Sequence, residues 1–433
     1  MAAALNPVER RLRDKIFWRL IAPLTFLIFM SSLDRSNIAI AALEMNQEIG
    51  LSPEMYGRGA GLFFFLGYIA LQYPHTALLR RIHARRWVAG SVIVWGAVAT
   101  LMAFIRTPEH FYVLRFLLGI AEGGFAPGAA YLAALWMPRR FRASAISGTM
   151  LAIPISQVIG APLSGWLMMS DLHLFSLTGW RFMVFVEGLV TIACGVAAYY
   201  VFIDRLEAAR WLNDEEKALV VAEAAGDQAE RSGPAGRLLF LRSGSFWAAC
   251  AIWFCLLAGA QGLIFWMAQV VRQVAGGDPL QIGVISALPW VGVAAGMILN
   301  AWSSDRTQER HLHLGAAAVL GGVCLLGAFL VEPGWQAVVL LLLGGLGLGG
   351  AQGVFWAIPV SLLRREDTGP GITVVNMIGN TAGMIMTPLV GIIRQQTGDF
   401  AATIYLLCAI IAVAAVLVLG LRAAASGKAG RSG

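Results

Sequence analysis

The chain has 433 residues, of which 58% are hydrophobic and only 13% charged, and its mean hydropathy is +0.70. Soluble domains carry roughly 25% charge, so composition excludes a soluble enzyme or binding module and points to a bilayer protein. The formal net charge of +7 then speaks of topology and anionic lipid rather than nucleic acid.

Apolar runs of about 20 residues mark helical spans, and the first half of the chain holds six of them, at 17–42, 57–79, 87–105, 111–137, 143–169 and 180–202. The first run is too long for a signal peptide's apolar core and lacks a small-residue cleavage site, so it is expected to remain in the mature protein. It ends in "SSLDRSNIAIAA", which places Asp34, Arg35 and Asn37 in lipid-facing territory. Each such charge near a helix centre costs about 2.5–3.5 kcal/mol on insertion scales. Span four adds Arg115 and Glu122, and span six adds Arg181 and Glu187 near its outer part. A rise of about 1.5 Å per residue puts Asp34 about 12 Å from the outer end of span one. The same rise puts Arg115 and Glu122 about 6 Å and about 16 Å below the outer start of span four. Two turns apart, Arg115 and Glu122 share a helix face. Two acids and two bases are therefore expected at one level; the structural alternative is an ion-pair clamp joining spans one and four, Asp34–Arg115 or Arg35–Glu122. Intramembrane ionisable groups usually mark pathways or proton relays. Glu187 and Arg181 read instead as a structural pair.

Between spans six and seven lies the one long polar segment, 204–244. Its stretch "RWLNDEEKALVVAEAAGDQAER" reads as an amphipathic helix capped by Asn213 or Asp214, followed by the breaker "SGPAG". The division is thus an N-terminal bundle (1–203), a linker (204–244) and a C-terminal bundle (245–433). Spans seven to twelve follow at 245–271, 279–302, 314–331, 335–363, 368–393 and 401–421. None of them holds a charge well inside; their polar groups are Gln261, Gln269, Asn300, Gln352, Asn376 and Asn380, with Trp356 among the aromatics. Short basic loops after spans two and eight, "LLRRIHARRW" and "SSDRTQERHLH", occupy equivalent places in the two halves. Six spans plus six, with a substrate site between, is the pattern of parallel repeats. The fold class is accordingly all-α, twelve transmembrane helices in two six-helix bundles. No alternating ten-residue pattern suggests a barrel.

Of the 32 Lys and Arg residues, only Arg58, Arg106, Arg272 and Arg394 fall in loops opposite the termini, and only Arg35, Arg115 and Arg181 lie in or at the lip of spans. The positive-inside rule therefore puts both termini in the cytoplasm, and the expected location is a bacterial inner membrane. The five cysteines lie within spans without metal-ligand spacing. No HExxH, nucleophile elbow or Walker loop appears, which argues against an enzyme and against ATP-driven transport. No cofactor is expected.

"LDRSNIAIAALEMNQEIGLS" and "RFLLGIAEGGFAPG", with "FFFLGYIALQYP", "VFWAIP", "SDRTQER" and "VVNMIGNTAG", resemble the anion:cation symporters of the major facilitator superfamily. The resemblance spans essentially the whole chain and is nearest the tartrate, phthalate and hydroxyphenylacetate permeases. It implies that Arg35 holds a substrate carboxylate, that Asp34 and Glu122 carry protons, and that Arg115 interacts with them. It also implies that Tyr68, Gln157, Trp356 and Asn376 line the central cavity. The loop motif after span eight, with Asp305 and Arg306 as gating residues, is intact, whereas after span two Arg80 stands where an acid is usual and His83 where a glycine is. The expected activity is proton-coupled import of a small organic carboxylate by a monomer in contact with membrane lipid. Amide groups suit the hydroxyls of a diacid such as tartrate, while Tyr68, Trp266, Phe355 and Trp356 could stack an aromatic acid. One rival is a non-transporting carboxylate sensor that keeps the fold, and a second is export or antiport of the same anions.

Overall fold

The computed structural model describes residues 7–429 apart from 171–175, 178, 205, 232–238 and 364–366; the breaker "SGPAG" and the Arg80 side chain lie outside the described residues. Among the described residues, eleven helices are long and apolar enough to cross a bilayer, from Pro7–Glu48 to Ala401–Ala423. The remaining run, the second in sequence, is a chain of shorter pieces. Pro53–Gly57, a wide turn over Arg58–Phe63 and Phe64–Ala70 are followed by a break at Leu71 and then Gln72–Arg81. Its start is set by Ser52, whose hydroxyl accepts from the Met55 amide ahead of Pro53.

The other spans begin and end for similarly local reasons. Thr107 caps span four before Pro108, and Ser243 caps span seven. Asp278 and Gln281 form a reciprocal capping box at span eight. Span eleven, Thr368–Thr397, stops at Gly398, whose φ of +83° suits glycine. The linker helix runs over Asp214–Arg231. Asn213 is its cap: its side chain accepts from the Glu216 amide at 2.8 Å, and Glu216 accepts from the Asn213 amide at 2.9 Å. Lys15, below span one, donates to Glu216 at 2.8 Å and ties this helix to the first bundle.

The bundles meet along two seams. Spans five and eight approach so closely that a methyl group on Gly165 would lie 2.4 Å from the Pro279 carbonyl oxygen, and one on Gly283 would lie 2.4 Å from that of Ala161. Spans two and eleven approach likewise, with Gly57 against Thr387 and Gly391 against Pro53. Small residues allow such backbone proximity. Across the same region Tyr56 donates to the Phe265 carbonyl at 2.7 Å, and Arg272 donates to that of Leu43 at 3.3 Å. All these residues lie toward the face opposite the termini. Among the described residues, no seam of comparable closeness joins the halves at the face bearing the termini. The structure is closed on the far side.

Candidate functional site

The buried charges resolve into two centres rather than one level cluster. In the first, Arg35 Nη2 meets Glu122 Oε2 at 3.1 Å, and Ser31 Oγ donates to the same oxygen at 3.1 Å. The Arg35 guanidinium lies over the Tyr68 ring at 5.2 Å and the Phe64 ring at 5.4 Å. Glu122 is only 1% exposed, whereas the Arg35 side chain is 20% exposed. Arg35 Nε and Glu122 Oε1 have no hydrogen-bond partner. Nε is buried, but Arg35 meets Glu122 through Nη2 alone, and the rest of this partly exposed guanidinium can hold a second carboxylate in a forked geometry.

Asp34, the neighbour of Arg35, points elsewhere. Successive residues on a helix differ by about 100°, so Asp34 faces spans three and six. There Oδ2 accepts from Trp95 Nε1 at 3.1 Å and from Thr191 Oγ1 at 2.8 Å, while Oδ1 has no partner. Neither acid meets Arg115. That residue is fully buried, donates through Nη2 to the Ala60 carbonyl at 3.0 Å, and lies over the rings of Phe64 and Phe265 at 4.7 and 5.6 Å. Its Nε and Nη1 are unpartnered. Sharing a helix face with Glu122 did not make it an ion-pair partner, because Arg35 takes that place. Of the two pairings expected, Arg35–Glu122 is present and Asp34–Arg115 is not.

The expected pair of Glu187 and Arg181 is also absent. Arg181 turns to Glu48 at 2.8 Å and to the Ala103 carbonyl at 2.6 Å. Glu187, 3% exposed, instead accepts from Asn37 Nδ2 and Ser164 Oγ, both at 2.6 Å. The sequence held a signal for this: Asn37 lies three residues from Asp34 and Thr191 four from Glu187, so helices one and six present reciprocal polar groups on adjoining turns.

Other predicted site residues divide between the halves. Gln157 joins the first-half cluster by donating to Ser32 at 3.3 Å. Trp356, half-buried, packs on Trp253 and Phe355 at 4.8 and 5.4 Å, and Asn376 accepts from Asn380 at 3.0 Å. No hydrogen bond or ring contact joins either to Arg35 in this conformation. Trp266 is fully buried and donates to the Thr387 carbonyl at 3.2 Å, as packing requires. In the loop after span eight, Asp305 accepts from Arg310 at 3.1 Å and Arg306 covers Trp302 at 4.1 Å. Among the described residues no group of His, Cys, Asp and Glu is arranged to hold a metal.

Comparison with known proteins agrees with this architecture. The chain is 35% identical over 416 residues to an Agrobacterium vitis protein named, provisionally, for tartrate transport, covering 96% of this chain and 92% of that protein. It is 30% identical over 412 residues, 94% of each chain, to the quinolone resistance transporter of Acinetobacter baumannii. A bacterial homologue of the human lysosomal transporter Spinster, solved inward-facing and unoccupied, superposes with a TM-score of 0.71 over 98% of this chain and 96% of its own. At 16% identity that likeness speaks for the fold alone. The Major Facilitator Superfamily model matches residues 24–388, and the chain is a membrane transporter of that superfamily.

Proposed function

We propose that this transporter carries a small organic carboxylate, tartrate or a related acid, inward with protons across the bacterial inner membrane. The observation that carries the reading is the Arg35–Glu122 pair: one partner is partly exposed and meets the acid through a single nitrogen, the other is sealed. A substrate carboxylate arriving at Arg35 competes with Glu122 for the same guanidinium. Drawing that positive charge away disfavours the Glu122 carboxylate and favours its protonation. Conversely, a protonated Glu122 leaves Arg35 free for substrate. Proton and anion therefore load together, and coupling arises from one shared cation. Asp34 is a second proton-carrying acid, held beside the pair by Trp95 and Thr191. Arg115 supplies fixed positive charge at the junction of the bundles. Tyr68 and Gln157 shape the near wall, and Trp356 and Asn376 the far wall when the bundles close on substrate. Asp305 and Arg306 steady the loop on the terminal side.

With the termini in the cytoplasm, as the distribution of basic residues supports, closure at the far seams corresponds to the inward-open state. Export is the second reading, favoured by the likeness to a resistance transporter. The test is uptake of labelled tartrate, phthalate and benzoate by proteoliposomes under an imposed pH gradient. An inward proton gradient is expected to drive accumulation, and a protonophore to abolish it. Accumulation that ignores the protonophore but follows sodium overturns the choice of ion. Expulsion of substrate driven by the inward proton gradient decides for export.

A further inference from the structure

Glu187 has no role in the coupling scheme above, yet its surroundings are those of a titrating group. Its carboxylate is held only by neutral donors, Asn37 and Ser164. Among the described residues, no Lys, Arg or His lies within ion-pair distance of it or of Asp34. On the helices packed against span six, the charged groups beyond the near-side ends are Asp34, Arg35, Glu44 and Glu48 of span one; Arg35 is turned away to Glu122, and Glu48 is occupied by Arg181 at the outer rim. Arg181, on Glu187's own helix, turns away. Glu187 therefore faces an acid and no base. The two acids are strapped together, for Thr191 of the Glu187 helix donates to Asp34, and Asn37 of the Asp34 helix donates to Glu187. Burying an uncompensated carboxylate is costly. With Arg35 and Arg115 as the buried cations and Glu122, Asp34 and Glu187 as the buried acids, one proton on the last two balances the set.

The shell of Glu187 also reaches the interface between bundles. Asn37 and Ser164 line, with Gln157 of the first bundle and Ser286 of the second, a cavity of about 20 Å³, room for roughly one water. Ser286 Oγ is buried and has no partner. The cavity lies beneath the seam that Gly165 and Gly283 close on the far side. Opening that seam parts Ser286 from Asn37 and Ser164 and admits water to them.

We propose that Glu187 is a third proton-carrying residue, loaded from the far side through this polar cavity when spans five and eight separate. A hydronium ion there gives its proton to Ser164 Oγ as that hydroxyl passes its own proton to Glu187 Oε1, and leaves as water. Closure of the seam then traps the neutral acid next to Asp34, and the two behave as a coupled pair with shared macroscopic titration. The assignment rests on the proton-coupled reading and adds one proton to its stoichiometry.

The experiment counts protons per tartrate in proteoliposomes, with an external pH indicator beside labelled uptake. Glu187→Gln is expected to keep tartrate counterflow while the proton-to-tartrate ratio falls by about one. Glu187→Asp, which still titrates, is expected to restore the wild-type ratio at a lower rate. Ser286→Leu fills the cavity from the other bundle without touching Glu187, and is expected to slow proton-driven uptake while sparing counterflow. An unchanged ratio in Glu187→Gln with uptake intact overturns the proposal. So does joint loss of counterflow and uptake in both Glu187 variants, which marks the residue as a packing strut. A wild-type protein whose uptake ignores the protonophore is a different result, since it removes the coupling reading itself.

Discussion

At the scale of single residues, the division of labour within Asp34-Arg35 follows from helix geometry. Adjacent side chains cannot share a face, so Arg35 meets Glu122 and the opening while Asp34 is sealed against Trp95 and Thr191. This separation makes binding and coupling independently breakable. Arg35→Lys is expected to lose tartrate binding by tenfold or more, because one compact ammonium cannot serve Glu122 and a forked carboxylate together; a thermal-shift titration measures it through ligand stabilisation. Glu122→Gln keeps the shape of the protonated acid but cannot release a proton. It is expected to bind and exchange tartrate normally and to lose gradient-driven accumulation. Counterflow and uphill uptake on the same preparation separate the two, and uphill uptake at the wild-type rate returns Glu122 to a structural ion pair. The presence of these charges was legible in the sequence, because it depends only on position along a run. Their partners were not. Depth placed Arg115 and Asp34 close enough to pair, but helix rotation, set by packing, turned Arg115 toward Ala60 and Asp34 toward Trp95.

At the scale of elements, glycine sets how near the helices come. A methyl group on Gly119 of span four would lie 2.0 Å from the Phe64 carbonyl oxygen of span two, and one on Gly67 would lie 2.2 Å from that of Phe116. These obstacles are backbone, so neither side can yield by a rotamer change. Gly119→Ala is expected to destabilise by about 1–3 kcal/mol through overpacking, lowering the melting temperature in detergent. Gly148→Ala meets nothing within 4 Å and is expected to be neutral or slightly stabilising, since alanine is the better helix former by about 1 kcal/mol. Equal melting temperatures for the two variants count against this backbone contact between spans two and four. The abundance of glycine was legible beforehand; which glycines touch backbone was not, for composition carries no rotation. The linker helix offers a pH test. Burial pushes the Glu216 carboxyl up, but Lys15 and the Asn213 amide outweigh it and hold the group below the ordinary carboxylate range. A depressed acid stabilises the fold above its unfolded value, about 4.3, and the gain is lost as pH falls through that value and the folded one. Wild type is therefore expected to melt above Glu216→Gln at pH 7, with the gap closing as pH falls through about 4.3 and below. A gap that does not depend on pH shows that the Lys15 contact adds nothing through charge.

At the scale of the whole molecule, the six-plus-six division and the run count were legible because bilayer thickness sets the length of a span. The segmented second helix was less so: its apolar content survives the wide turn at Arg58–Phe63 and the break at Leu71, and hydropathy does not register either. Nor does sequence disclose which face is closed, since both arrangements bury the same helix faces in turn. The far-side seams make that state testable. Gly283 sits where any side chain runs into the Ala161 carbonyl, so a large residue there is tolerated only if spans five and eight move apart. Gly283→Trp is expected to hold the far face open and the near face shut. Transport through such a locked protein should cease, whereas tartrate binding to Arg35 from the far side should persist. Single cysteines placed at Asn37 and Ser286, in a background free of the five native thiols, report the change: both are expected to label readily from the far side in Gly283→Trp and poorly in wild type. Unaltered labelling together with normal uptake would show that the seam between spans five and eight does not gate the far face.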